Sequence, residues 1–295
     1  MYVGCIRGPR LLTRLPNKSI VEKESPIHTY PYSQKGKSMK WPTSLMLIRH
    51  GQSAYNILRE KKQQDPLYQR FQNLYRSGDT SRDALELARM IKRKYALGIG
   101  DYETPLTAEG AVQAVTTGKQ LERRGEVLPD VVIYSPYRRT QQTLQGLCEG
   151  WPGLAHIPRV EDDRIREQEH GLSIIYNDWR VFHTYHPEQR ELRELQGDYW
   201  YQYPQGESVA MVRDRVRSML TTLIREYAGK RVLLVTHHLT ILSIRATLER
   251  LTPEEFIELD QKNKPVNCGV TEYLGKPGEG TKGKLVLESY NEKLY

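Results

Sequence analysis

Leu45-Met46-Leu47-Ile48-Arg49-His50-Gly51-Gln52-Ser53-Ala54-Tyr55-Asn56 begins as an apolar run and breaks abruptly into arginine, histidine and glycine. Four consecutive large apolar residues between polar ones read as a strand covered on both faces, as in a parallel sheet. Ligands of open α/β sheets gather at the carboxyl ends of such strands, which is where Arg49 and His50 stand. Gly51 is expected to let the backbone turn sharply and come close to a ligand. An arginine and a histidine at that place suit an anion.

The same grammar recurs twice downstream. Val131-Val132-Ile133-Tyr134 runs into Ser135-Pro136-Tyr137-Arg138-Arg139, and Val232-Leu233-Leu234-Val235-Thr236 runs into His237-His238. Pro136 favours a helix start, whose first-turn amides are expected to face an anion. Thr107 reads as an N-cap with Glu109 complementing the helix dipole, and Val112, Val115 and Leu121 follow at helical spacing. Val209, Val212, Val216, Leu220, Leu223 and Tyr227 mark an amphipathic helix ended by Gly229, with Arg213, Arg215 and Arg217 expected on its solvated face. His156 to Val160 reads as another strand, Pro253 to Asp260 as a helix, and Gly269 to Leu274 with Lys284 to Tyr290 as paired edge strands.

Composition narrows the classes. The 295 residues suffice for one large α/β domain with insertions, and no apolar stretch approaches the length of a membrane-spanning helix. Cys5, Cys148 and Cys268 have neither metal-ligand spacing nor the density of a disulfide framework, so free thiols in a reducing cytoplasm are expected. The net charge of +8 invites a nucleic-acid reading. Most of it, however, sits in residues 1–40, where Arg7, Arg10, Arg14, Lys18, Lys23, Lys35, Lys37 and Lys40 face only Glu22 and Glu24. The remainder forms no basic stripe, so neither nucleic acid nor membrane is an expected partner. Adjacent histidines at a strand end diverge, and no carboxylate has a suitable spacing, so no metal site is expected at His237-His238.

Several motifs together carry a resemblance. Arg49-His50-Gly51 with Gln52 to Asn56, Pro105-Leu106-Thr107-Ala108-Glu109-Gly110, Ser135-Pro136-Tyr137-Arg138-Arg139 with Thr143, Ile165-Arg166-Glu167 with Gly171, Tyr203-Pro204-Gln205-Gly206-Glu207-Ser208, and Thr236-His237 resemble the signature segments of the histidine phosphatase superfamily, also called phosphoglycerate mutase-like. The resemblance implies a three-layer α/β/α sandwich around a mostly parallel sheet, and a small phosphorylated metabolite as substrate without a cofactor. It implies His50 as nucleophile, Glu167 rather than Glu169 as proton donor, His237 as the second catalytic histidine, and Arg49 with Arg139 as phosphate clamps. Asn56 is implied as a phosphate contact, and Ser53 as a position lining the substrate pocket. His238 departs from the family pattern, which has glycine there; it is a further candidate for substrate contact, and its side chain bears on the local backbone and the pocket volume.

Residues 1–38 read as a basic, disordered extension ahead of a domain at 39–295, and Met39-Lys40-Trp41-Pro42 resembles the way many family members begin, so a native start at Met39 is expected. Segments 57–103 and 172–205 read as insertions, the first a partly helical cap over the site mouth, the second an aromatic-rich element packed against the body. Phosphatase and mutase both fit the five central residues. Gln168 after Glu167 and the single Trp179-Arg180 in place of an arginine pair favour hydrolysis of a phosphomonoester, with phosphoglycerate mutase-type transfer and non-catalytic phospho-ligand binding as the other readings.

Overall fold

A computed structural model of the chain describes residues 39–295; the expectations for residues 1–38 lie outside the described residues. Six strands form one sheet: β1 (Ser44–Arg49), β2 (Val131–Tyr134), β3 (Arg159–Glu161), β4 (Arg231–Thr236), β5 (Val270–Lys276) and β6 (Lys284–Glu292), in the order β3-β2-β4-β1-β5-β6. The first four are mutually parallel, and β5 runs antiparallel to both β1 and β6. The expected strand over His156 to Val160 is shorter and later, because Pro152 to His156 close into a 3-10 turn before it. β5 is also not an edge strand, since it pairs with β1 on one side and β6 on the other.

Side-chain alternation makes three layers. Leu45, Leu47, Val131, Ile133, Val232 and Leu234 point to one face, covered by α8 (Val209–Glu226) and α9 (His238–Leu248). Ile48, Val132, Leu233 and Val235 point to the other, covered by α4 (Ala108–Arg123) and α5 (Arg138–Gly150). Strands buried on both faces need no polar alternation, which is why they read as continuous apolar runs. Each such side chain contributes about 1.5–3 kcal/mol on leaving water. Within α4 the buried stripe is Gly110, Gln113, Ala114, Thr117, Gly118 and Leu121, while Val112 is exposed. The small residues belong on that face because α5 packs close against it, and the expected Val112 does not fit there.

Two pairs of glycines join the motifs physically. A Cβ on Gly51 would collide with the Gly110 carbonyl, and one on Gly110 with the Gln52 carbonyl. Gly51 therefore serves close approach to the start of α4 rather than to a ligand, and its φ is not in the left-handed region. Gly171 and Gly206 meet in the same way, each lacking room for a Cβ against the other's loop.

Segment 57–103 holds most of α1 (Ala54–Gln64), then α2 (Pro66–Arg76) and α3 (Arg82–Lys94); segment 172–205 holds α6 (Trp179–Tyr185) and α7 (Pro187–Gln196). These pack on each other: Tyr68, Phe71, Leu87 and Ile91 form a second core with Val181, Tyr176 and Tyr185. A buried ion pair pins them, Lys62 Nζ lying 2.6 Å from Asp178 Oδ2, with Tyr68 Oη donating to the same oxygen at 2.5 Å. Asp178 also caps α6 through the Arg180 amide. The last two helices are α9 and α10 (Pro253–Lys262), the latter opened by a Thr252–Glu255 capping box. Among the described residues no helix is long and apolar enough to cross a membrane.

Breaking one partner of a buried pair strands the other's charge, which costs about 3–5 kcal/mol, whereas replacing both by apolar groups costs much less. Lys62→Met should therefore destabilise the chain by about that amount, and Lys62→Met with Asp178→Asn, which removes the stranded charge but keeps the α6 cap and an acceptor for Tyr68, by clearly less. Urea unfolding of the single and double variants measures the difference.

Candidate active site

The parallel register of β1 with β4 sets Arg49 opposite Thr236, so the residues that follow, His50 and His237, leave the sheet side by side. Their ring centroids are 5.2 Å apart at 62°. The His50 amide donates to the Thr236 carbonyl at 2.9 Å, and its Nδ1 lies 2.8 Å from the Gly51 carbonyl. A carbonyl can only accept, so Nδ1 carries the hydrogen and Nε2 of the neutral ring keeps its lone pair. His237 Nε2 lies 2.8 Å from Ser135 Oγ, and its Nδ1 is buried without a partner. Both histidines are held well below the usual range, first by burial and then by the Arg139 charge.

A cavity of about 520 Å³ opens over His50. Arg49, Ser53, Asn56, Arg139, Glu167 and His238 line it with His50. His237 does not; it is fully buried behind the wall, against His50 and Tyr137. Arg49 donates from Nη1 to the Pro265 carbonyl, and its buried Nε is unpartnered. Arg139 stacks over the Tyr137 ring at 4.6 Å and donates to Asp101. Asn56 Oδ1 accepts from the Ser53 amide, the Ser53 hydroxyl and Asn267 Nδ2, so the Asn56 amide hydrogens are what remain for a ligand. Ser53 lines the cavity as expected, with its hydroxyl engaged in the capping box of α1. Of the first-turn amides of α5, Arg138 donates to the Tyr102 carbonyl at 3.0 Å and Thr140 to the Tyr137 carbonyl, so these two are not left for an anion.

Glu167 and Glu169 separate clearly. Glu167 Oε1 accepts from the Leu239 amide in the first turn of α9 at 3.2 Å, on the cavity wall. Glu169 instead pairs with Arg166 at 2.9 Å and does not line the cavity. Arg215, expected on the solvated face of α8, turns inward. Its Nη2 donates to the Glu167 carbonyl at 3.0 Å and its Nη1 to the Arg164 carbonyl, while Glu207 takes its remaining donors at 2.9 and 3.0 Å. Arg213 also turns inward, to the Ala246 and Leu251 carbonyls; of the three, only Arg217 is solvated. The cause is tertiary: the Glu167 loop and the end of α9 bring carbonyls with spare acceptor capacity within reach of α8.

His238 takes the first helical position of α9 with no left-handed backbone, so glycine is not required there. Its Nε2 lies 2.6 Å from Asp260 Oδ1 on α10, away from the Ser135 side where His237 points.

Sequence reasoning missed other wall residues. Asn267 joins the His50 carbonyl to Asn56 from the loop before β5, with no local signal. Arg59 lies one turn beyond Asn56 on α1, a spacing that could have marked it. Arg180 and Arg193 each stack on Trp179 at 4.1 Å, so the pair absent from the sequence is assembled in space.

A model of the histidine phosphatase superfamily (branch 1) matches residues 91–285, beginning downstream of His50. Phosphoglycerate mutase-like protein AT74H of Arabidopsis thaliana is 32% identical over 202 residues, 61% of this chain and 68% of that protein. Broad-range acid phosphatase DET1 of Saccharomyces cerevisiae is 34% identical over 119 residues, 37% of this chain and 34% of its own length. The solved mycobacterial glucosyl-3-phosphoglycerate phosphatase superposes with a TM-score of 0.55 at 21% identity, covering 84% of this chain and 99% of that one, a likeness of fold.

Buried neutral histidines make stability depend on pH. His183, pushed down to about 3 by burial and then by Arg193, binds its proton far more weakly folded than unfolded. Its contribution is complete above the unfolded value near 6.5 and is lost as pH falls below it. Between pH 7.5 and 5.5 that loss is about 1.4 kcal/mol. In urea titrations at the two pH values, His183→Asn should lose less stability than the parent by this amount.

Proposed function

The chain belongs to the histidine phosphatase superfamily (branch 1), and we propose that it hydrolyses a small phosphomonoester through a phosphohistidine on His50. The observation that carries this reading is the state of His50: its Nδ1 is committed to the Gly51 carbonyl, and burial with Arg139 and Arg49 keeps the ring neutral, which leaves Nε2 as a nucleophile over the cavity.

A phosphate dianion bound there meets Arg49, Arg139 and the Asn56 amide. The guanidinium forks match its oxygens and offset the charge of the transferring group. Nε2 of His50 attacks phosphorus in line, forming the N–P bond as the P–O bond to the leaving group breaks. Glu167, as the general acid, gives its proton to the leaving oxygen. The Glu167 carboxylate then takes a proton from water as its oxygen attacks phosphorus, which releases phosphate and restores neutral His50. His237 acts from behind the wall: its ring packs edge-on against His50 and its Nε2 meets the Ser135 hydroxyl, so it steadies the ring of the nucleophile.

Transfer of the mutase type is the second reading. Arg180 and Arg193 flanking Trp179 on the cavity wall favour it, as a carboxylate-bearing phosphomonoester would meet both. Gln168, whose amide is spent on the Glu207 carbonyl, belongs to the support of the Glu167 loop in either case.

A phosphomonoester panel tests the main reading. His50→Ala should lose turnover by at least about a thousandfold, as expected for a covalent nucleophile. Turnover that survives in His50→Ala overturns the mechanism, and efficient isomerisation of 3-phosphoglycerate with 2,3-bisphosphoglycerate replaces hydrolysis by transfer.

A further inference from the structure

We infer that Asp101, in the turn that closes segment 57–103, is a positioning residue that pre-aims the Arg139 guanidinium at the phosphate; the inference rests on the phosphate-binding role given to Arg139 above.

A guanidinium has five N–H donors. In Arg139, Nη1 donates to the Asp101 carbonyl at 2.7 Å and to Asp101 Oδ1 at 3.0 Å, and Nη2 donates to Asp101 Oδ2 at 3.3 Å. Asp101 therefore takes the end-on edge of the fork, both oxygens of one carboxylate facing both terminal nitrogens. What remains is Nε–H and the second Nη2–H, which share the side-on edge. Among the described residues neither has a partner, and Arg139 lines the cavity. Two parallel N–H groups on one edge are the arrangement that binds two oxygens of a phosphate. The Tyr137 ring beneath, at 4.6 Å, fixes the plane of the fork. The side chain of Arg139 is only 5% exposed, so little water competes for the free edge.

Asp101 is itself held by backbone bonds that do not involve its carboxylate. The Glu103 amide donates to Gly100, the Thr104 amide to the Asp101 carbonyl, and the Arg138 amide to the Tyr102 carbonyl, so the turn is stapled to the first residue of α5. Gly98 just before it has φ +69°, a left-handed value that lets the chain enter the turn. Removing the carboxylate thus leaves the turn in place and releases the Nη2 end of the guanidinium, while Nη1 keeps only the Asp101 carbonyl and can swing about it.

The opposite role for the same contact is a plug, in which Asp101 competes with phosphate for Arg139. The two roles differ in sign. A plug's removal tightens phosphate binding, because a negative charge leaves an anion site. A positioning residue's removal weakens it, because the guanidinium must be ordered at the moment of binding.

The experiment is the thermal shift produced by inorganic phosphate in the full chain, together with KM and kcat on the phosphomonoester turned over best. Asp101→Ala should weaken phosphate about tenfold, the loss expected for one charge-assisted hydrogen bond. KM should rise in parallel, kcat should change much less, and the phosphate-induced shift should shrink. Asp101→Asn, which keeps one acceptor but turns an N–H₂ toward Nη2, should fall between. Arg139→Gln should abolish the shift, which assigns it to this site. An equal or larger phosphate shift in Asp101→Ala overturns the positioning role while leaving the phosphatase reading intact. A parent chain that shows neither a phosphate shift nor turnover overturns the functional reading and this inference with it.

Discussion

The register of β1 against β4 is the constraint on which the rest depends. Arg49 lies opposite Thr236, so the chain leaves the sheet at the same level on two neighbouring strands. Parallel pairing makes both ends carboxyl ends, and the two histidines that follow stand side by side, His50 on the cavity and His237 behind its wall. β2 continues the set beyond β4, Tyr134 lying level with Val235, and delivers Ser135 to His237 and Arg139 to the opposite wall. A slip of one residue in β1 would exchange its two buried faces and carry His50 out of level with His237.

Around that crevice charge is concentrated and nearly all of it is assigned. Arg139 has Asp101, Lys62 and Arg180 share Asp178, Arg193 has Asp198, and Lys264 has Asp260. Each carboxylate orients a cation instead of leaving it to solvent, so the cavity is preorganised rather than merely positive. Arg215 and Glu207 extend the same logic behind the wall, holding the carbonyl of Glu167 while Leu239 holds its carboxylate. The insertions belong to this system: α1 and α6 meet through the buried Lys62–Asp178 pair directly under the cavity.

Much of the site was legible in the sequence because it sits at strand ends, where an apolar run breaks into chemistry. Arg49, His50 and the Arg138-Arg139 and His237-His238 pairs stand out for that reason; the choice of Arg139, His237 and Glu167 among their neighbours came from the family resemblance. Helical contributions were read less well. Arg213 and Arg215 looked solvated because a charged residue on an amphipathic helix has no local sign of a buried carbonyl waiting above it. Val112 looked buried because apolar spacing alone did not show that the buried stripe of α4 runs through Gly110, Ala114 and Gly118, on the opposite side of the helix.

The sequence by itself determined the layered α/β architecture, the strand ends that carry the site and the family to which they point, since these follow from local hydrophobic period and short motifs. Only the tertiary structure decided how the motifs serve one another. It showed that Gly51 packs on Gly110, that Arg180 and Arg193 form a pair across Trp179, and that Ser53 is a cap. It also showed that Asp101 faces Arg139 across 38 residues of chain. Such partners are chosen by which donors and acceptors remain unpaired once the sheet has closed, and no local pattern encodes that remainder.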